Sequence, residues 1–230
     1  MIKRDFMKIK VCGMRDADNI QQVIALGVNM IGLIFWSKSP RYVQSVSTNA
    51  GIIPDLKNSN IAELDNPDVS YVGVFVDEMP QNIVTHAYNY KLDYIQLHGD
   101  ESTVYIDNLK KTLIPDILPN VKIIKALSIK EAADIQKWKT YEGHVDMFLF
   151  DTKSSQSVGG TGKHFDWSLL DLYDGDIPFL LSGGIGPDDA ESVKSIDHPM
   201  CIGIDLNSRF EKSPGMKDVD KLKTFLKALS

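Results

Sequence analysis

Eight short apolar runs alternate with polar, amphipathic stretches, and this alternation restricts the fold more than any other feature of the chain. The runs lie near Ile9–Cys12, Met30–Phe35, Tyr71–Val76, Tyr94–Leu97, Lys122–Ala126, Val145–Phe150, Pro178–Leu181 and Cys201–Leu206. Short, nearly continuous apolar runs of this kind suit parallel strands buried on both faces. Between them, Asp16–Leu26, Pro80–Tyr90, Glu101–Lys111, Glu131–Trp138 and Pro187–Ile196 read as amphipathic helices. Pro187, with Asp188 and Asp189 behind it, marks a first helical turn, where acidic groups suit the helix dipole. Asp218–Leu229 closes the chain as a helix with Val219, Leu222, Phe225, Leu226 and Leu229 on one face.

Eight strand–helix units in 230 residues predict an α/β fold, a single (β/α)8 barrel of TIM type, with residues 1–230 as one domain. An open doubly wound sheet would carry G-x-G-x-x-G after its first strand. The turn here is Cys12-Gly13-Met14-Arg15-Asp16, so that dinucleotide fingerprint is absent. Ala50 to Ser70, punctuated by Pro54, Asn58-Ser59-Asn60 and Asn66-Pro67, predicts an irregular second helix and an exposed connection.

The net charge is -6 and the basic residues are scattered, which argues against nucleic acid as a partner. The longest apolar run, Met30–Trp36, is too short to span a bilayer, and Met1–Phe6 has no apolar signal core. Cys12 and Cys201 are the only cysteines, too few for a disulfide framework, so a reducing, cytoplasmic setting is expected. The five histidines show no H-E-x-x-H and no Cys/His cluster, so neither a metal nor another cofactor is expected.

A barrel places its chemistry at the C-terminal strand ends. Those ends carry Cys12, Ser37 through Arg41, Asp77, Gln96 with His98, Lys125, Asp151, Ser182-Gly183-Gly184, and Asp205 to Ser208. By itself, a lone cysteine at a strand end is most often a small buried hydrophobe. Opposed by Asp151 across one mouth, however, Cys12 makes a base–acid pair conceivable. Cys12 is expected at an open mouth, and Cys201 at the far end or in the core. The glycines of Ser182-Gly183-Gly184-Ile185-Gly186 let backbone N–H groups approach a phosphate. Arg41 offers a fork for a carboxylate. Gly159-Gly160-Thr161-Gly162-Lys163 fails the P-loop pattern, since Ser157 replaces its first glycine and His164 follows the lysine, and reads as a lid over a ligand.

Taken in order, several segments resemble one family. They are Lys10-Val11-Cys12-Gly13-Met14, Ser39-Pro40-Arg41, Val72-Gly73-Val74-Phe75-Val76 and Gln96-Leu97-His98-Gly99, then Phe150-Asp151 with Gly159–Lys163 and Phe165-Asp166-Trp167. Leu181-Ser182-Gly183-Gly184-Ile185, Gly203-Ile204-Asp205 and Ser213-Pro214-Gly215-Met216-Lys217-Asp218 complete the set. From about Lys8 to the last helix the chain resembles phosphoribosylanthranilate isomerase of tryptophan biosynthesis. The resemblance implies an Amadori rearrangement of N-(5′-phosphoribosyl)anthranilate, with Cys12 as general base and Asp151 as general acid. It places Arg41 at the anthranilate carboxylate, with His98 and Asp205 as further substrate contacts. Gly183, Gly184, Asn207 and Ser208 inherit the phosphate. The implied partner is a small phosphosugar, and the implied unit a monomer or homodimer. Arg209 and Phe210 depart from the family's small residues after the strand-eight aspartate. Two rival readings stay open: a non-catalytic phosphosugar-binding barrel, and a related enzyme such as indole-glycerol-phosphate synthase, whose chemistry would call on Lys125.

Overall fold

The computed structural model describes residues 7–48, 51–54, 66–152 and 167–230. Eight parallel strands close into a barrel: β1 (Lys8–Met14), β2 (Met30–Ile34), β3 (Ser70–Phe75), β4 (Tyr94–Leu97), β5 (Lys122–Ile129), β6 (Met147–Thr152), β7 (Phe179–Ser182) and β8 (Cys201–Leu206). Each pairs with its sequence neighbours, and β1 pairs β8 to complete the ring. The α-helices packed outside are α1 (Ala17–Ile24), α2 (Pro80–Asn89), α3 (Thr103–Leu113), α4 (Ala132–Ile135), α5 (Ala190–Lys194) and α6 (Val219–Leu229). A 3-10 segment, Gln136–Tyr141, prolongs α4, and another, Trp167–Leu172, precedes β7.

Strand alternation builds two cores. Met30, Val72, Tyr94, Ile124, Ala126, Met147, Leu149 and Leu180 fill the barrel, while Phe148, Phe150, Phe179 and their neighbours pack outward against the helices. Fully burying a Phe stabilises by about 1.5–3 kcal/mol, so the outer layer carries much of the fold. The parity of Met147 and Leu149 continues to Asp151, which therefore leaves the apolar stack at the barrel end. Helix starts follow their capping residues. Asp16, Ser102 and Asp218 accept from the backbone N–H groups of Asn19, Tyr105 and Lys221.

Three expectations need correction. Gly51–Pro54 is not helical: it pairs antiparallel with Ser45–Thr48, and the rest of the expected second helix, 55–65, lies outside the described residues. β-branched Val46, Thr48, Ile52 and Ile53 suit that pairing. The helix after β7 starts at Ala190 rather than Pro187, because Asp189 folds back to accept from the Gly186 N–H at 2.6 Å and holds a turn there. Lys125 does not reach the mouth. It lies on the outward parity between Ile124 and Ala126, fully buried, with Nζ 2.7 Å from Glu101 and 2.6 Å from the Gly99 carbonyl.

His86 on α2 is buried against Phe35, ring centroids 4.3 Å apart, and its Nδ1 finds no hydrogen-bond partner among the described residues. Burial pushes its pKa down to about 4, below the ~6.5 of an unfolded histidine. The unfolded chain therefore binds the extra proton first. This contribution is intact above ~6.5 and is lost as pH falls toward 4. His86→Phe keeps the stack and removes the proton site. Chemical denaturation at about pH 5 and about pH 7.5 is expected to show a smaller stability difference in the variant than in the parent.

Candidate active site

Cys12 lies on β1 two residues beyond Lys10, so both side chains point into the barrel. Gly32 on β2 leaves the room the thiol uses: a Cβ there would stand 2.8 Å from Sγ. Contrary to an open mouth, Cys12 is only 4% exposed. Cys201, at the start of β8, is buried as expected. Burial pushes both thiols up, Cys201 to about 11. At Cys12 the ammonium groups of Lys10 and Lys217 oppose that rise, while Asp205 adds to it.

Behind the thiol stands a chain of buried polar contacts. Lys10 Nζ lies 2.8 Å from Asp205 Oδ1, and the Ser182 hydroxyl donates to Asp205 Oδ2 at 3.1 Å. Both oxygens of Asp205 are thus engaged by the protein itself. Ser182 faces Asp151 across the β6–β7 register. Burial alone would lower the Lys10 ammonium, but Asp205 and the neighbouring Cys12 sulfur raise it, so it stays charged. Asp151 is the penultimate residue of β6, with Oδ2 3.5 Å from His98 Nε2. His98 in turn meets Gln96 Nε2 at 3.3 Å through Nδ1.

The Arg41 fork is already occupied. Nε and Nη2 bind the two oxygens of Glu211 at 2.8 and 2.6 Å, which leaves Nη1 with no hydrogen bond among the described residues. Glu211 also accepts from Lys217 Nζ at 2.7 Å, and Lys217 reaches Asn207 Oδ1 at 2.8 Å. Burial would raise the Glu211 carboxyl, but hydrogen bonds from Arg41 and Lys217 hold it down at about 2. Arg41, Lys217 and Glu211 sum to one positive charge, a surplus suited to one carboxylate.

After β7, Gly183 and Gly184 adopt φ of +98° and +71°. A Cβ on Gly183 would stand 2.0 Å from the Thr152 carbonyl, whereas one on Gly184 would meet nothing within 4 Å among the described residues. Ser208 opens a 3-10 turn after Asn207 and is exposed. Of the two departures there, Phe210 turns away and packs on Phe225, ring centroids 5.0 Å apart. The Arg209 guanidinium lies beside Gly186, about 3.2 Å from where a Cβ would be. Gly159–Lys163, expected as a lid, lies outside the described residues. No group of His, Cys, Asp and Glu able to hold a metal occurs among the described residues, and no described helix is long and apolar enough to cross a membrane.

Sequence reading gave no role to Lys10, Glu211 or Lys217, and took Arg209 only as a departure from the family pattern. Lys10 alone carried a local signal, a cation inside an apolar strand at the parity of Cys12.

Comparison with known proteins places the chain in a family. The family model for N-(5'phosphoribosyl)anthranilate (PRA) isomerase matches residues 9–228. N-(5'-phosphoribosyl)anthranilate isomerase of Parabacteroides distasonis is 45% identical over 97% of this chain and 93% of its own. Among solved structures, the isomerase of Thermotoga maritima superposes with a TM-score of 0.75 at 29% identity, over 97% of this chain and 98% of that one. A phosphoribosyl anthranilate isomerase in complex with reduced 1-(o-carboxyphenylamino)-1-deoxyribulose 5-phosphate superposes with a TM-score of 0.75 at 26% identity, with the same coverage. The chain belongs to the N-(5′-phosphoribosyl)anthranilate isomerase family.

Proposed function

We propose that this chain converts N-(5′-phosphoribosyl)anthranilate to 1-(2-carboxyphenylamino)-1-deoxyribulose 5-phosphate, with Asp151 as general acid and Cys12 as general base. Family membership carries the reaction. The residue roles are supported by one observation above all: β1 and β6 carry a thiol and a carboxyl close to their C-terminal ends, at the same rim.

Asp151, protonated, gives its proton to the ribose ring oxygen. The C1′–O bond breaks and the anilino nitrogen supplies electrons, leaving an open-chain iminium. That cation acidifies C2′–H. The Cys12 thiolate takes the proton, giving an enolamine that tautomerises to the ketone. Burial by itself holds Cys12 as a thiol. A substrate cation beside the sulfur would favour the thiolate, matching the base to the step that needs it.

The reduced product in the related complex bears a carboxylate and a phosphate. Here Arg41 Nη1 serves the carboxylate, with Glu211 holding the guanidinium by its other two nitrogens. Gly183, Gly184, Asn207 and Ser208 serve the phosphate, with Arg209 a nearby cation. His98 sits beside Asp151 and contacts the substrate. Asp205 acts mainly through Lys10. The ligand is a small phosphosugar, and the working unit is a monomer or homodimer. The synthase-like reading loses its lysine, since Lys125 is spent on Glu101 outside the barrel.

Loss of the substrate's anthranilate fluorescence on addition of purified protein tests the activity, and absence of turnover would leave only a binder. In the same assay Arg41→Ala is expected to raise KM by about 10- to 100-fold, the worth of a charged hydrogen bond. Arg41→Lys should recover little, because it cannot hold Glu211 and a ligand together. An unchanged KM in Arg41→Ala would remove this contact.

A further inference from the structure

We propose that Lys10 is a positioning residue for Cys12, its buried ammonium tethered by Asp205 so that the thiolate forms and stays aimed into the barrel. The inference rests on Cys12 being the base.

A lysine inside a barrel core demands an explanation. Lys10 is 0% exposed, and its ion-pair partner, Asp205, is 6% exposed. A buried pair of this kind is often matched or surpassed in stability by apolar residues of the same volume, so stability gives weak grounds for it. The pair does bridge β1 to β8, since Lys10 and Asp205 are register partners. A seam bridge alone, however, does not require the cation to sit two residues from the thiol on the same face. Lys10 hydrogen-bonds Asp205 Oδ1 at 2.8 Å, and its charge favours the Cys12 thiolate as the sulfur favours the ammonium. Ser182 fixes the second oxygen of Asp205, so the tether is itself held from β7. Gly32 keeps the other flank of the sulfur open.

The charged groups facing Cys12 from the elements packed around it are Lys10 on β1, Asp205 on β8, Arg41 after β2 and Lys217 before α6. Arg41 and Lys217 share Glu211, which balances one of them. Lys10 and Asp205 balance each other, and Lys10 is the member on the same face of β1 as the sulfur and the charge that most opposes the effect of burial there. The thiol releases its proton to water, Lys10 stays an ammonium throughout, and the thiolate later accepts the C2′ proton.

The test measures iodoacetamide labelling of Cys12 in a Cys201→Ser background at fixed pH, below the thiol's titration, where the rate follows the thiolate fraction. Lys10→Met is expected to slow labelling by at least about tenfold, the effect of one pH unit. Asp205→Asn is expected to speed it. If these residues only pack the seam, both variants loosen the site and label faster, which overturns the proposal. Should Lys10→Met not fold with Asp205 left unpaired, the double variant Lys10→Met/Asp205→Asn removes both charges, and it must label more slowly than Asp205→Asn. Equal or faster labelling of the double variant also overturns it. In turnover, Lys10→Met should lower kcat with little change in KM, and raising the pH should restore part of the loss. A kcat deficit that is flat with pH counts against the proposal. Activity retained in Cys12→Ser would instead remove the base assignment, and that failure is read separately from the labelling rates.

Discussion

Asp151→Asn is expected to lower kcat by about 10²–10⁴-fold, the usual range for loss of a general acid–base group. The amide keeps the size and polarity of the carboxyl and can still meet His98, 3.5 Å away across the mouth. It has no carboxyl proton to give to the ring oxygen, so the ring must open without assistance. The side chain stands at the last turn of the β6 ladder rather than in the Met147–Leu149 stack, so folding should hold and KM should change little. Steady-state turnover with thermal unfolding as a control measures both. A variant with near-parental kcat removes Asp151 from the mechanism. If His98→Asn then proves inactive, the proton comes from the imidazole instead.

Cys12→Ser is expected to cost a comparable factor, about 10²–10⁴ in kcat. A hydroxyl fits the space beside Gly32 and keeps a polar atom near Lys10. It is nevertheless a far weaker acid than a thiol, so the basic form is scarcely populated near neutrality. Cys201→Ser is the control. Its sulfur lies 3.7 Å from the Gly203 carbonyl at the start of β8, remote from the strand ends that carry the chemistry. Burial pushes that thiol to about 11, so it is inert near neutral pH. This variant should turn over normally with some loss of stability from a polar swap in a packed strand. Ligand protection is the second arm: a phosphate-bearing product analogue should slow alkylation of Cys12, and peptide mapping identifies which thiol reacts. Full activity in Cys12→Ser, or inactivation that follows Cys201 labelling, would transfer the base role elsewhere.

The element order and the closed barrel were legible because each apolar run is short, buried and followed by an amphipathic stretch. Within such a chain, period-two alternation carries Asp151 along from Met147 and Leu149, and pairs Cys12 with Lys10. The strand-end thiol and carboxyl therefore stand out from the order of residues alone. The pairing of Ser45–Thr48 with Gly51–Pro54 does not, because prolines and asparagines in that region signal a break without saying what fills it.

Facing direction is where local sequence runs out. In a parallel sheet buried on both sides, inner and outer residues are equally apolar, so composition leaves their parity open. Lys125 and Lys10 each sit in an apolar strand, yet one points out to Glu101 and the other in to Asp205 and Cys12. Only barrel closure and register decide between them. The same holds for Arg41: its side chain promises a fork for a ligand, but Glu211, 170 residues later, takes two of its nitrogens. Alternation, barrel and strand-end chemistry are properties of neighbours along the chain, so the order of residues is enough to specify them. Which charges are spent on one another, and which still face the mouth, is settled only in three dimensions, because a buried charge takes the nearest partner in space, however distant that partner is in sequence.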